Sequence, residues 1–230
     1  MVKTGFITVK LIIENCIYII NILMYNIIIK ILEVFTLNRM SEQFEKLNGR
    51  FGGNAVLKCV ELDFKSKKFF NSFKRTIRTD RCGEVAFALE RKNGKFVVIR
   101  NNIYPEGVYR IPTGGIRFGE DVLSALYREI SEELGVNVEL KRFLGAVKYD
   151  ISYHDEHIDF YSFVFWMKEV SGTILKDATQ NEISDFAEAD LQFLEQISEK
   201  LQSEGEDRGD WRSFRFQTTS FIIPFLKNEY

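Results

Sequence analysis

Between Asp121 and Gly135, apolar residues recur at the spacing of a helix. Val122, Leu126, Ile130 and Leu134 stand four positions apart, with Leu123 and Tyr127 beside them. Helical residues advance about 100° each, so this set makes one stripe that faces a core. Glu129, Glu132 and Glu133 also sit at helical spacing; Glu133 falls about 20° from Leu126 on the same wheel, and Glu129 lies at the edge of the stripe. In other segments the period is two. Val56, Lys58, Val60, Leu62 and Phe64 alternate with Leu57, Cys59 and Glu61, which predicts a strand beginning after Asn54. Residues 84–91 and 96–100 are β-rich runs joined by Lys92-Asn93-Gly94-Lys95, an Asn-Gly hairpin signal. Tyr109-Arg110-Ile111 reads as a short strand leading into the glycines at 114 and 115. Residues 136–152 and 158–167 read as two long strands joined around Tyr153-His154-Asp155-Glu156-His157. A helix follows over Leu191–Gln202. Beyond the polar break 203–210, Trp211, Phe214, Phe221 and Phe225 predict a terminal helix that packs on the domain or on a second subunit, with Pro224 bending or ending it.

The first 39 residues differ in character. They hold eleven isoleucines, and their longest uncharged stretch, Asn15 to Ile29, is only 15 residues. Spanning a bilayer takes about 20 apolar residues, so a crossing would need Leu11–Leu32 with Glu14 and Lys30 near the interfaces. The segment lacks the basic start and small-residue cleavage site of a secretory signal. Three explanations stand: translation starting at Met40, whose following residues SEQFEKLNGRFGG read like the start of a soluble domain; a membrane-binding or partner-binding helix; or an ordered helix of the domain.

With 230 residues and 45% hydrophobic content, the chain can bury a substantial core, and its net charge of -2 selects no class of partner. Cys16, Cys59 and Cys82 have no metal-ligand spacing and are odd in number, so neither a disulfide framework nor a cysteine metal site is expected, and a cytoplasmic location is the simpler reading. Residues 65–81 carry seven Lys or Arg against one Asp, with Phe69, Phe70 and Phe73 interleaved. They read either as a phosphate or nucleic-acid surface or as a hairpin with solvated lysines. His154 and His157 read as polar turn residues or as a substrate contact.

The run Arg-Glu-Ile-Ser-Glu-Glu-Leu at 128–134 has two readings. One is a solvated charged face, as the i, i+4 pair Arg128 and Glu132 suggests. Glu133 argues otherwise, because an ionised carboxylate on a core-facing stripe is costly without a cation or donors to compensate it. Oxygen ligands with no histidine or cysteine nearby favour a hard ion, Mg2+ or Mn2+. Gly114, Gly115 and Gly119 would let a turn wrap close to a phosphate or metal, and Gly135 reads as the helix stop.

Taken together, Gly114, Glu120, Arg128, Glu129, Ile130, Glu132, Glu133, Gly135 and Val136 match every constrained position of the box of the Nudix hydrolase family, which this chain resembles over roughly residues 82–200. The resemblance implies an α/β fold, an α/β/α sandwich around a mixed sheet. It also implies a Mg2+- or Mn2+-dependent hydrolase that cleaves a pyrophosphate bond in a nucleoside diphosphate linked to another moiety, such as ADP-ribose or a nucleotide sugar. Glu129 and Glu133 would be the principal metal ligands, with Glu132 a further ligand and the Thr113 carbonyl another. Glu132, Glu133 or Glu182 would act in catalysis, Glu182 as a candidate general base; its alternative is the polar rim of a strand. Arg128 would orient the glutamates and, with Gly114 and Gly115, border the substrate. Glu120 reads as an acid favoured by the helix dipole. The organisation expected is an Ile-rich segment 1–39, a strand extension with the basic stretch over 40–81, the Nudix domain over 82–202 and a C-terminal helix over 203–230. The expected partner is a small nucleotide, with a homodimer also expected; nucleic acid is not expected, nor a membrane unless residues 1–39 are real. The rival functions are an RNA 5′ pyrophosphohydrolase and a non-catalytic ligand sensor.

Overall fold

The structure is a computed structural model describing residues 2–102, 104, 106–176, 178, 183–202 and 209–229, with side chains from Ile17 onward. Helix α1 (Val2–Arg50) contributes to two compact units, Met1–Arg39 and Met40–Tyr230. In the first unit, Ile19, Leu23, Ile27, Ile31 and Phe35 are exposed to solvent. By length and composition alone, the apolar part of this helix meets the requirement for crossing a membrane.

In the second unit, residues 40–50 are the closing turns of α1, and Met40, Phe44 and Leu47 are buried at helical spacing. The extension that begins at Met40 thus opens with helix, ahead of the strand expected after Asn54. Strand β1 (Val56–Asp63) follows and pairs in parallel with a later strand, as its alternation suggested. The basic stretch is then a helix, α2 (Lys67–Thr79), and not the expected hairpin. Ser66 caps it, its hydroxyl accepting from Phe69 N, and both carboxylate oxygens of Asp210 accept from the Lys65 and Ser66 amides. Phe69, Phe70, Phe73 and Ile77 fall on its inner face, a helical period that outweighs the strand reading.

The remaining elements are β2 (Arg81–Glu90), β3 (Phe96–Arg100), β4 (Thr113–Arg117), α3 (Val122–Glu129), a π turn (Ile130–Leu134), β5 (Val136–Tyr153), β6 (Glu156–Gly172), β7 (Asp185–Ala189), α4 (Leu191–Gln202) and α5 (Gly209–Lys227). The described strands form one mixed sheet in the order β1-β5-β6-β2-β3-β7, with β4 pairing beside β2. The Asn-Gly hairpin joins β2 to β3, with Gly94 at φ 78°. The long strands extend further than expected, turning tightly at His154-Asp155. Tyr109–Ile111 is no strand; Arg110 makes a single bridge to Ile99, and the strand delivering the chain is β4, which contains the two glycines.

Alternation along β2 and β6 sends side chains to both faces of the sheet. Ala86, Ala88, Phe160, Val164 and Trp166 join a core with Phe70 of α2, Leu194 of α4 and Phe214 of α5. On the other face, Leu126 and Ile130 are fully buried, as are Phe163 and Phe165, and Phe44 meets Phe143 edge-on. The result is an α/β/α sandwich. Pro224 lies inside α5 without ending it, as the helix runs to Lys227 and buries Leu226.

Candidate active site

The box folds as a strand, a tight turn and a helix packed back on the strand. Asp121 caps α3, its carboxylate accepting from the Leu123 and Ser124 amides. Val122, Ala125 and Leu126 bury the apolar stripe. The final turn is not α-helical as expected. It is a π turn closed by Gly135 at φ 66°, whose amide donates to Ile130 O and Ser131 O.

Gly114 and Gly115 belong to β4 and have no positive φ, so their freedom of conformation is not what the site uses. A Cβ on Gly114 would fall inside the side chain of Glu129, and one on Gly115 would come 2.9 Å from Arg81 Cζ. The glycines leave room for those two side chains. Gly119, at φ 86°, is the true turn glycine.

Glu129 and Glu133 are 7% and 6% exposed, and both line one cavity of about 330 Å³ together with Arg81, Tyr104, Arg110, Thr113, Gly115, Arg117, Trp211 and Arg215. Burial pushes the Glu129 carboxyl above its ordinary range, an effect opposed by Arg128. Arg128 is turned into the glutamates. Its Nε donates to Glu120 Oε1 at 2.7 Å, Nη1 to Glu129 Oε1 at 2.6 Å and Glu132 Oε2 at 3.1 Å, and Nη2 to Gly115 O and Glu120 Oε2 at 2.8 Å. These bonds, those to Glu120 first, hold its guanidinium firmly charged. In return the Arg128 hydrogen bond holds the Glu120 carboxyl below the usual range, so Glu120 is an anchor for Arg128 as well as an acid near the helix start. Glu132 is shared by Arg128 and Arg117, the latter 3.7 Å away. Thr113 contributes its hydroxyl to the cavity, accepting from Arg110 and Arg215. Glu182 lies outside the described residues, although its neighbour Ile183 lines the cavity.

Among the described residues, no three acidic, histidine or cysteine side chains converge as a ready-made ion cage. The donor set nevertheless suits a hard cation, since Glu129 and Glu133 bring two buried carboxylates to one cavity and, among the described residues, no histidine or cysteine lines it. Neither His154 nor His157 lines this cavity; His157 Nδ1 pairs with Asp150 Oδ1 at 2.8 Å on the β5–β6 hairpin.

Sequence reasoning missed the cavity's arginines and aromatics. Arg110 was available as a cation inside the apolar run 108–111, and Trp211 and Arg215 as neighbours one turn apart on α5.

The family model for the NUDIX domain matches residues 81–210. An RNA pyrophosphohydrolase from Helicobacter pylori (strain P12) is 44% identical over 69 residues, which are 29% of this chain and 44% of that protein. The chain therefore spans less than half the length of the curated relatives it matches. Among solved structures, a NUDIX hydrolase from Nitrosomonas europaea aligns with a TM-score of 0.45 at 15% identity, covering 62% of this chain and 88% of that one. An ADP-ribose pyrophosphatase from Streptococcus suis aligns with a TM-score of 0.40 at 14% identity, covering 64% and 92%.

Proposed function

We infer that this chain, which belongs to the Nudix hydrolase family, is a divalent-metal-dependent hydrolase of a pyrophosphate bond in a nucleotide, with a nucleoside diphosphate linked to a second moiety as its substrate class. One observation carries the reading: two buried carboxylates, Glu129 and Glu133, share a cavity with four guanidinium groups, from Arg81, Arg110, Arg117 and Arg215. Carboxylates alone would repel a phosphate, and arginines alone would hold it without activating water. A cavity with both can hold a polyphosphate against a bound cation.

Glu129 and Glu133 would hold Mg2+ or Mn2+, with Glu132 beside them. Bound there, the cation would offset phosphate charge in the transition state and acidify a water. Arg128 holds Glu129 and Glu132 in place through its fork of donors. Arg81 and Arg117, paired with Asp80 and Glu132, line the cavity beside the glutamates, where their guanidinium groups would meet phosphate oxygens. A carboxylate of the box, or Glu182, accepts the proton of the attacking water. The cavity's volume is at the lower end of the range for small-molecule sites, which suits a nucleotide whose second moiety extends outward.

The deciding experiment measures hydrolysis of a panel of nucleoside diphosphate derivatives with Mg2+, with Mn2+ and with chelator. Glu133→Gln should lose at least about 100-fold in kcat, the scale of removing one group that stabilises transition-state charge, with its circular dichroism unchanged. Turnover close to wild type in a folded Glu133→Gln would remove Glu133 from the metal site.

A second reading, an RNA 5′ pyrophosphohydrolase, is favoured by α2, which exposes Lys67, Lys68, Arg75 and Arg78, and by the name of the Helicobacter pylori relative. The salt dependence of RNA binding tests it.

A further inference from the structure

Part of the cavity wall comes from α5, which lies almost wholly beyond the residues matched by the family domain. In β4, Thr113 and Gly114 are successive residues directed to opposite faces of the sheet. Gly114 abuts Glu129, whereas the Thr113 hydroxyl meets two guanidinium groups. Arg110 Nη1 lies 2.9 Å and Arg215 Nη1 3.2 Å from Thr113 Oγ1. A hydroxyl oxygen has two lone pairs, so it can accept from both.

The two arginines differ in how their charge is met. Arg215 Nη1 is 2.8 Å from Glu84 Oε2, a carboxylate 2% exposed that also accepts from Ser162 Oγ. Arg110 is 8% exposed, and among the described residues its partners are all neutral: the Tyr104 hydroxyl, the Ile111 carbonyl and the Thr113 hydroxyl. A charge buried without a counter-charge is costly. Among the described residues, Glu84 is the one carboxylate hydrogen-bonded to this pair of arginines, so an anion entering the cavity that both line can meet the charge of Arg110 directly. Arg215 Nε is buried and, among the described residues, has no hydrogen-bond partner. Paired planar guanidinium forks match the oxygens of a phosphate.

We propose that Arg110 and Arg215 form an anion subsite, distinct from the glutamate cluster, that takes a phosphate group of the substrate. Tyr104 and Trp211, with ring centroids 4.4 Å apart, make the wall beside it. The C-terminal helix is then a specificity element of the site as well as a packing element. Assigning the phosphate to the substrate rests on the catalytic reading above, whereas anion binding as such rests on the placement of the two arginines in the cavity wall.

The test uses the full chain stripped of metal and titrates it calorimetrically with pyrophosphate. Two variants accompany the wild type: Arg215→Lys, and the double variant Glu84→Gln/Arg215→Met, which removes the buried charge pair together so that neither partner is stranded. Circular dichroism and melting confirm that each is folded. Wild type should bind pyrophosphate without metal, and both variants should bind at least about tenfold more weakly, lysine included because an ammonium lacks the fork. In hydrolysis, KM should rise by a similar factor while kcat changes less. A wild type that does not bind, or a folded double variant that binds as wild type does, overturns the subsite. Metal-dependent turnover of the wild type separates the two readings. Arginine-dependent binding without turnover strikes the catalytic reading and keeps the subsite, whereas turnover with binding indifferent to Arg215 does the reverse.

Discussion

Gly114 shows how closely a single position can set the aim of a carboxylate. No side chain larger than hydrogen fits between β4 and Glu129, so Gly114→Ala must push Glu129 aside. Displacing a reacting group by about 1 Å costs about 100-fold in rate, and the added methyl costs about 1–3 kcal/mol of overpacking. Gly114→Ala should therefore melt only modestly lower while kcat falls about 100-fold, a split that steady-state kinetics and calorimetry resolve together. A second outcome at this scale concerns His157. The Asp150 hydrogen bond raises its pKa, so any stability from the pair is complete below the ordinary imidazole value of about 6.5 and is lost as pH rises through the folded value. A proton NMR titration should place His157 above that ordinary value and find it lowered in Asp150→Asn; an unchanged titration in the variant would contradict the pairing. The sequence made the glutamates conspicuous because burying a carboxylate on an apolar stripe leaves a readable contradiction. It concealed Arg110 and Arg215, because a lone arginine in an apolar run or on an amphipathic helix looks the same whether it covers a surface or lines a cavity.

Among elements, those with one clear period were legible. Helix α4 follows the expected bounds, and β1, β2 and β3 fall where alternation and the Asn-Gly turn put them. Where two periods overlap, tertiary packing decided. In α2 the phenylalanines satisfy a helix, and Ser66 and Asp210 fix its start, the latter from a residue 144 positions away that no local pattern contains. The π turn was equally hidden, since five residues of an i→i+5 bond pattern carry no compositional mark. The solvent side of α2 is the testable part. Should the substrate be RNA, neutralising Lys67, Lys68 and Arg75 to glutamine will weaken RNA binding and reduce the slope of log K against log salt by about 0.7 per lost phosphate contact. Hydrolysis of a small nucleotide should be unaffected, and an unchanged salt slope would leave α2 without a part in substrate binding.

At the scale of the whole molecule, the two units call for different environments. Residues 40–230 bury their apolar side chains in a two-faced core, whereas Ile17–Phe35 present isoleucine, leucine and phenylalanine to solvent, an apolar surface of the kind that seeks lipid or another chain. A variant lacking residues 1–39 should melt within about 2–4 °C of the full chain, the shift that about 1 kcal/mol produces in a domain of this size. It should also stay in the supernatant when mixed with phospholipid vesicles, with which the full chain should co-sediment. A large loss of stability on removing the segment would show instead that it supports the fold. The contribution of α5 to the cavity wall has a consequence in time. Synthesis proceeds from the N-terminus, so a nascent chain can form the glutamate helix and most of the sheet while Trp211 and Arg215 are still to be added. A ribosome-bound intermediate would therefore carry Glu129 and Glu133 together with Arg81, Arg110 and Arg117, while Glu84 still waits for the guanidinium of Arg215 that pairs with it.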